Sequence, residues 1–179
     1  MSIFCNVDTI AHLNLLPALA AHKRRREEEK NKDAIVTLLL VPSPPVQRRP
    51  IYPEEDVIVA INPETNRLVH YQSLQSKELC MDIIGPDNVH RFEAHSKIQF
   101  RYDVEWSGIC VCSPEALCLF TDEFDWQDWH KDFIPGVLQS EILSYQIFTQ
   151  FVKEGYCSRV GALNKYAQVT IHILRQRTH

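Results

Sequence analysis

A run of β-branched residues and leucine at residues 34–41, AIVTLLLV, constrains the fold of this chain more than any other segment. It has the length of a β-strand and lacks the alternating polar positions of a strand that faces water on one side. We therefore predict a strand that is covered on both faces. Pro42 ends the run, and residues 42–53 hold five of the ten prolines, so we predict an extended surface loop there.

A β-hairpin is the next predicted element, because apolar segments at residues 56–62 and 67–72 flank the turn sequence Pro63-Glu64-Thr65-Asn66. Other strands are predicted at residues 98–102, 106–112, 146–152 and 156–160. Helix signals occur at Asn14, at Ser113-Pro114-Glu115, at Pro135-Gly136 and over residues 162–175, where Leu163, Tyr166, Val169 or Thr170, and Ile173 have helical spacing. In chain order these elements predict an α/β fold with a mixed sheet and flanking helices.

The first helix is predicted to be apolar at its start and charged at its end. Its buried stripe consists of Leu15, Leu16, Leu19 and Ala20 and ends at His22. Residues 23–32 have no apolar position, but three opposite-charge pairs there have i,i+4 spacing: Lys23–Glu27, Arg24–Glu28 and Arg25–Glu29. We interpret this run as a solvated helix end. The alternative, a basic patch for RNA, is disfavoured because three glutamates follow the arginines directly.

Composition narrows the classes of function. The 179 residues fit one domain, and a net charge of −4 argues against a protein that binds nucleic acid through phosphate contacts. No segment approaches the roughly 20 apolar residues that span a bilayer, and no basic region precedes an apolar N-terminal segment, so we expect a cytoplasmic protein without a membrane contact. None of the five glycines precedes Gly85, which excludes a glycine-rich phosphate loop from the first half.

The six cysteines lack the paired Cys-x-x-Cys spacing of a zinc site, and we expect reduced thiols. Cys110 and Cys112 lie two residues apart in an apolar run, so they share one face of a strand and are predicted to be small buried side chains. The sequence contains no recognisable set of catalytic residues.

Residues 119–138 concentrate two of the three tryptophans, three of the eight phenylalanines and five carboxylates. Helical spacing predicts two buried faces, one of Leu117, Phe120 and Phe124 and one of Trp126, Trp129 and Phe133. Asp122, Asp125 and Asp128 recur every three residues, and on a helix they could converge on a divalent cation. The favoured interpretation is an exposed acidic side without a metal.

These residues also carry a resemblance to a known family. Residues 119–136 resemble a segment of the epsilon subunit of eukaryotic translation initiation factor 2B, the guanine-nucleotide exchange factor for initiation factor 2. The resemblance covers nearly the whole chain and is weakest over residues 73–99. It continues, in order, at Ala18-Leu19, His22, residues 56–70, Arg101-Tyr102-Asp103, residues 110–114, Glu141-Ile142-Leu143, residues 146–152, Glu154-Gly155-Tyr156, Arg159-Val160 and Tyr166.

The resemblance implies that residues 1–179 form a single domain, the later half of a nucleotidyltransferase-like, Rossmann-like domain. The family's nucleotide-binding first half, its β-helix and the HEAT domain that promotes exchange are expected to be absent. The chain is then expected to act in translation initiation through protein contacts, without catalysis of its own and without a cofactor. The implied partners are other exchange-factor subunits and initiation factor 2, with no direct nucleic acid.

The same resemblance suggests a partner-binding site at Asp122, Glu123, Phe124 and Asp125. An Asn-Phe pair of the family is implicated in engaging initiation factor 2, and the matching residues here are Glu123 and Phe124. Two alternatives remain open for Phe124, a partner contact or a core residue on the face of Leu117 and Phe120.

A second hypothesis is an enzyme fragment descended from sugar-phosphate nucleotidyltransferases. It would use Mg²⁺ and a nucleoside triphosphate, with Asp8 and the carboxylates of Asp122 and Asp125 as ligands. By resemblance, Asp8 falls at a Gly-Asp position that binds metal in those enzymes, but Val7 replaces the glycine. Asp8 is therefore a weak metal candidate.

Overall fold

The computed structural model describes residues 1–42, 57–73, 92, 97–140, 142–152, 154–161 and 163–175. The predicted proline-rich loop, apart from its first residue, lies outside this part of the chain. The described strands and helices, in chain order, are β1 (Ser2–Cys5), β2 (Thr9–Leu13), α1 (Leu16–Glu27), β3 (Ala34–Pro42), β4 (Val57–Ile61), β5 (Leu68–Ser73), β6 (Gln99–Arg101), β7 (Val104–Cys112), α2 (Pro114–Asp122), a π-helical turn (Trp129–Phe133), α3 (Ile134–Gln139), β8 (Gln146–Phe151), β9 (Gly155–Arg159) and α4 (Leu163–Leu174).

The central sheet has the strand order β1-β7-β3-β8. β7 runs antiparallel to both β1 and β3, whereas β3 and β8 are parallel, so the sheet is mixed, as predicted. The apolar run of residues 34–41 forms β3 in the interior of this sheet, and every residue from Ala34 to Leu40 is buried. The prediction of a strand covered on both faces is confirmed.

Side chains alternate across a strand, so both faces of this sheet carry apolar side chains, and helices cover both faces. On one face Leu39 of β3, together with Ile109 and Val111 of β7, packs against Ala18 of α1. The opposite face carries the larger core. There, side chains of β3, β7 and β8 pack with α2, the π-helical turn, α3 and the β4–β5 hairpin: among them Leu38, Leu40, Cys110, Cys112, Ile147, Leu119, Phe133, Ile134 and Val59. The described cysteines are free thiols, and Cys110 and Cys112 are buried as predicted.

The predicted hairpin is confirmed as β4 and β5, which pair from Val57 opposite Ser73 and join β6 in a three-stranded antiparallel sheet. Its loop closes at Asn66, which has a positive φ of 58° and donates its backbone N–H to the carbonyl of Asn62 at 2.8 Å. Asparagine tolerates this left-handed conformation better than most residues.

A separate two-stranded sheet pairs a strand near the start of the chain with a strand that precedes the last helix. β2 pairs antiparallel with β9, from Thr9 opposite Arg159 to Leu13 opposite Gly155. The strand at β9 is predicted from its sequence, whereas no strand is predicted at residues 2–13, where β1 and β2 lie. Both pair with segments about 100 residues or more away along the chain, and local sequence carries no signal for such a partner.

The predicted buried face of α1 is correct only in part: Leu15 and Leu19 are partly buried against the core, whereas Ala20 is exposed. The buried residues are Ala18, His22 and Arg25, whereas Leu16 is exposed, because the helix packs its polar side against Thr37 of β3. The ion pairs also differ from the prediction. Lys23 does pair with Glu27, at 3.7 Å, but Arg24 pairs with Glu29, at 3.3 Å.

The helix predicted at residues 162–175 is confirmed as α4, but its predicted apolar face is not buried. Val169 is buried, whereas Leu163 is 84% exposed and Tyr166 is 60% exposed. Among the helices of the described residues, none is long and apolar enough to cross a membrane.

Candidate partner-binding site

The candidate site begins at the end of α2. Ser113 has the extended backbone of a cap residue, Pro114 opens the first turn, and Glu115 pairs with Arg26 of α1 at 2.7 Å. These are the start signals that the sequence predicts. The helix ends at Asp122, where the backbone N–H of Glu123 donates to the carbonyl of Leu119 at 2.9 Å.

A tight turn follows, closed by the backbone N–H of Trp126, which donates to the carbonyl of Glu123 at 3.1 Å. Phe124 lies in this turn with 88% of its surface exposed. Asp122, Glu123 and Asp125 are exposed around it. We call residues 122–125 the acidic tip. The prediction of one helical face through Leu117, Phe120 and Phe124 is wrong, because the helix ends before Phe124 and buries Ala116 and Leu119 instead.

Four aromatic side chains support the acidic tip from within the protein. Phe120 stacks on Phe133 with ring centroids 4.7 Å apart, and Trp129 lies 4.5 Å from the same ring. Trp126 meets Phe133 edge-on at 5.5 Å. The predicted inward packing of Trp126, Trp129 and Phe133 is therefore confirmed. It is achieved by an irregular segment followed by a π-helical turn, not by a continuous α-helix.

Two of the acidic residues in this segment hold the backbone. Asp128 caps the π-helical turn by accepting the backbone N–H of His130 at 2.7 Å and that of Lys131 at 3.1 Å. Asp132 reaches back and accepts the N–H of Asp128 at 2.8 Å. This reciprocal arrangement satisfies donors that the start of a helical turn leaves unpaired.

The same geometry removes the basis for a cation site. Asp122, Asp125 and Asp128 do not lie on one helix, so their three-residue spacing does not bring their carboxylates together. In the described part of the chain, no group of three or more His, Cys, Asp or Glu residues is arranged to hold a metal ion.

A buried polar network ties the π-helical turn to two other parts of the fold. The ring of His130 hydrogen-bonds through Nδ1 to the hydroxyl of Tyr71 on β5, and its Nε2 lies 3.2 Å from Nη1 of Arg159 on β9. Because a guanidinium only donates, Nε2 must accept, so the proton is on Nδ1 and is donated to Tyr71. The ring also packs edge-on to Trp106, with centroids 3.7 Å apart.

Electrostatics keep His130 uncharged. Burial, followed by the neighbouring Arg159, lowers the pKa of His130 from 6.5 to about 3. Burial also raises the pKa of the Tyr71 hydroxyl above its ordinary value. The pair is therefore neutral across the physiological pH range and acts as a fixed support.

Asp8, the weak metal candidate, completes this network. Its carboxylate accepts from Nη2 of Arg159 at 2.8 Å and from Nε at 3.4 Å, which is a bidentate ion pair. The carboxylate of Asp8 therefore balances the positive charge of Arg159, which lies next to His130. The enzyme hypothesis is not supported, because Asp8 is engaged by Arg159 and the tip carboxylates are not assembled around it.

Sequence reasoning missed Tyr71, His130 and Arg159 as members of this network. They come from β5, the π-helical turn and β9, and no spacing along the chain marks them as neighbours. The four residues of the acidic tip, in contrast, are contiguous, and the structure brings them to the surface together.

Comparisons with known proteins identify relatives of this chain. No model of a protein family matches the sequence. The chain is 34% identical over 176 residues to translation initiation factor eIF2B subunit epsilon of Dictyostelium discoideum, an alignment that covers 98% of this chain and 24% of the relative. The epsilon subunit of Schizosaccharomyces pombe is 32% identical over 120 residues, covering 67% of this chain and 17% of the relative. The resemblance that the motifs indicated is confirmed, and the chain spans about a quarter or less of the length of these relatives.

Proposed function

We propose that this chain, which is related over nearly its whole length to a segment of the eIF2B epsilon subunit, is a partner-binding part of the guanine-nucleotide exchange factor for initiation factor 2. It acts in translation initiation, in the cytoplasm, through contacts with other exchange-factor subunits and with initiation factor 2. Residues 1–179 correspond in this proposal to the later half of a nucleotidyltransferase-like domain, and the chain does not catalyse a reaction by itself.

The exposure of Phe124 is the observation that carries this proposal. A large aromatic side chain that is 88% exposed contributes nothing to the core. Aromatic residues are enriched at the centres of protein interfaces, where burial of a large rigid surface supplies much of the binding free energy. Phe124 is therefore the expected anchor of the contact.

The surroundings of Phe124 suit such an anchor. The aromatic side chains beneath it hold the turn, and the caps by Asp128 and Asp132 fix the backbone that follows. A preformed surface loses little conformational entropy on binding. The three carboxylates of the tip favour a basic surface on the partner, and such an attraction accelerates association at low ionic strength.

The test is a binding measurement between the purified chain and initiation factor 2, with a second arm using the other exchange-factor subunits. Phe124→Ala is expected to weaken the binding of initiation factor 2 by about 2 kcal/mol, or about thirtyfold, which is typical of an interface anchor. Ile142→Ala removes another exposed apolar side chain, outside α4, and is the matched control, expected to bind like the parent protein.

A substitution of Glu123 tests the one departure from the family pattern. Glu123→Asn restores the Asn-Phe pair, and we expect it to strengthen binding to initiation factor 2 without a change in stability, because the side chain is exposed. If the parent chain binds none of these proteins at low ionic strength, or if Phe124→Ala binds as well as the parent, the proposed function is wrong.

A further inference from the structure

A second candidate site lies between the end of α1, the β4–β5 loop and the start of β8. It is a pocket of about 370 Å³, and its walls include three arginines, Arg24, Arg25 and Arg67. This volume is within the range of small-molecule sites. No sequence motif marks this group, because Arg67 is 42 residues away from Arg25 along the chain.

The pocket is remote from Asp8. Strands β1, β3 and β8 run in the same direction, since β1 and β3 are both antiparallel to β7 and β8 is parallel to β3. Asp8 follows the end of β1, whereas Gln146, which begins β8, lines the pocket. The two places are therefore at opposite ends of the sheet.

Arg25 is the most buried charge in this region, with 4% of its surface exposed. Its guanidinium lies 4.4 Å from the centroid of the Phe148 ring, and Nη1 donates to the hydroxyl of Thr37 at 3.4 Å. Within the described chain, no carboxylate forms an ion pair with it. Burial lowers the pKa of Arg25 and outweighs the opposing effect of the nearby Glu29 carboxylate. The charged form has therefore lost solvation, and a bound anion would restore part of it.

Arg67 supplies a second guanidinium from a fixed backbone. Its carbonyl accepts the N–H of Asn62 at 2.9 Å, and Thr149 of β8 donates its N–H to the carbonyl of Asn66 at 2.8 Å. Burial lowers the pKa of Arg67 as well. Among the described residues, no acidic side chain forms an ion pair with this guanidinium.

The two acidic residues in the pocket wall are already paired. Glu29 contacts Arg24 at 3.3 Å, and Glu64 contacts Lys97 at 2.8 Å. Arg25 and Arg67 are therefore left as two cationic groups facing one polar cavity, which Asn62 and Asn66 also line.

We propose that this pocket binds a small anion that carries a phosphate group. Guanidinium groups donate two parallel hydrogen bonds and match the geometry of phosphate oxygens, and the rigid backbone at Arg67 holds one of them in place. The side chain of Asn66, which also lines the pocket, offers a polar contact to the remainder of such a ligand. This site does not depend on the acidic tip, and its failure leaves the proposed function intact.

Inorganic phosphate is the probe for the test. Calorimetric titration of the purified chain at constant ionic strength, with chloride as the balancing anion, is expected to show saturable binding at one site. Arg67→Gln removes the charge but keeps polar atoms, and it is expected to weaken the affinity by about tenfold or more, as for a lost charge-assisted hydrogen bond. Lys131→Gln removes the same charge from the exposed π-helical turn and is the matched control, expected to bind like the parent.

Glu29→Gln gives an independent result. It releases Arg24 and removes a negative charge from the wall, so phosphate affinity is expected to rise; both partners of that ion pair are exposed, and the fold should tolerate the change. Absence of saturable phosphate binding would overturn the proposal. So would an Arg67→Gln affinity equal to that of the parent, or an equal loss in Lys131→Gln.

Discussion

Two buried histidines, His22 and His130, show how single residues of this chain are matched to their surroundings. His22 on α1 is fully buried, and its Nδ1 lies 3.0 Å from the hydroxyl of Thr37. Burial, followed by the neighbouring arginines Arg26 and Arg25, lowers the pKa of His22 to about 4. His130 is buried on the opposite side of the central sheet, and its pKa is about 3. Both rings are uncharged in the folded protein at neutral pH.

The lowered pKa values of these two histidines make the stability of the folded protein depend on pH. In the unfolded chain both histidines titrate near their ordinary value of about 6.5, so below that pH the unfolded state binds protons that the folded state does not. Each histidine then lowers the free energy of unfolding by up to about 1.4 kcal/mol per pH unit, from pH 6.5 down to its folded pKa. Above pH 6.5 this contribution is fully present.

Urea unfolding at pH 7.5, 6 and 5 measures the effect. The parent protein is expected to lose stability as the pH falls, and His130→Gln is expected to flatten the dependence although it lowers stability at pH 7.5. Thr121→Ala, at an exposed position on α2, removes no titratable group and is the control, which should leave the slope unchanged. A slope that is equal in His130→Gln and the parent would show that His130 is not the buried neutral group described here.

Phe124 and Arg25 show the limit of sequence reasoning at this scale. Phe124 could be a core residue or a contact residue, and only the position where α2 ends makes it exposed. Arg25 lies in a charged run that predicts a solvated helix end, yet it is buried against Phe148. In both cases the sequence has the right residue types, but the exposure depends on a neighbour that is far along the chain.

Among the elements, the contact between α3 and the loop before the π-helical turn depends on one glycine. A Cβ atom at Gly136 would lie 2.7 Å from Cε2 and 3.1 Å from Nε1 of Trp126, so the indole ring occupies the space that any other residue would need. Gly136 therefore allows Trp126 to pack against Phe133 beneath the acidic tip.

Gly136→Ala is expected to lower the free energy of unfolding by about 1–3 kcal/mol, because a methyl group is inserted into a packed contact. Chemical denaturation measures this loss. A double-mutant cycle with Trp126→Ala isolates its cause: once the indole is gone, Gly136→Ala should cost much less. Equal costs in the two backgrounds would rule out the steric explanation. The Gly136→Ala protein is also expected to bind partners more weakly, since the displaced ring supports the tip.

The elements themselves follow the local sequence closely, with informative exceptions. β3, the β4–β5 hairpin, β7, α2 and α4 lie within a few residues of their predicted positions, because each has strong periodicity, turn residues or cap residues. The predicted continuation of helix through residues 123–128 is wrong. Asp128 and Asp132 bond backbone N–H groups there and start a new π-helical turn.

For the whole molecule, the distribution of exposed apolar residues suggests self-association. Residues Ala34 to Leu40 of β3 are buried within this chain and contribute no exposed apolar surface. Helix α4 groups several exposed apolar residues on one element, since Leu163, Tyr166, Ile173 and Leu174 are all exposed. An apolar helix surface of this kind is typical of a contact with another protein surface.

We expect the purified chain to associate in a concentration-dependent manner, as measured by analytical ultracentrifugation. Replacing Leu163 and Leu174 together by serine should reduce this association without lowering the free energy of unfolding, because both side chains are outside the core. Phe124→Ala is the control for loss of an exposed apolar group elsewhere. A chain that sediments as a monomer at all concentrations, or whose association is unaffected by the serine substitutions, would contradict this prediction.

The sequence by itself determined the fold class, most of the helices and strands, the buried β3 and the contiguous residues of the acidic tip, because these depend on spacing within about ten residues. It also indicated the relationship to the eIF2B epsilon subunit, through an ordered series of short motifs along nearly the whole chain. Only the tertiary structure decided that β2 pairs with β9, that Asp8 is bound by Arg159 and that Arg25 and Arg67 face one pocket. These pairings join segments that are distant along the chain, and they are set by how the packed sheets and helices bring side chains together, which no local pattern records.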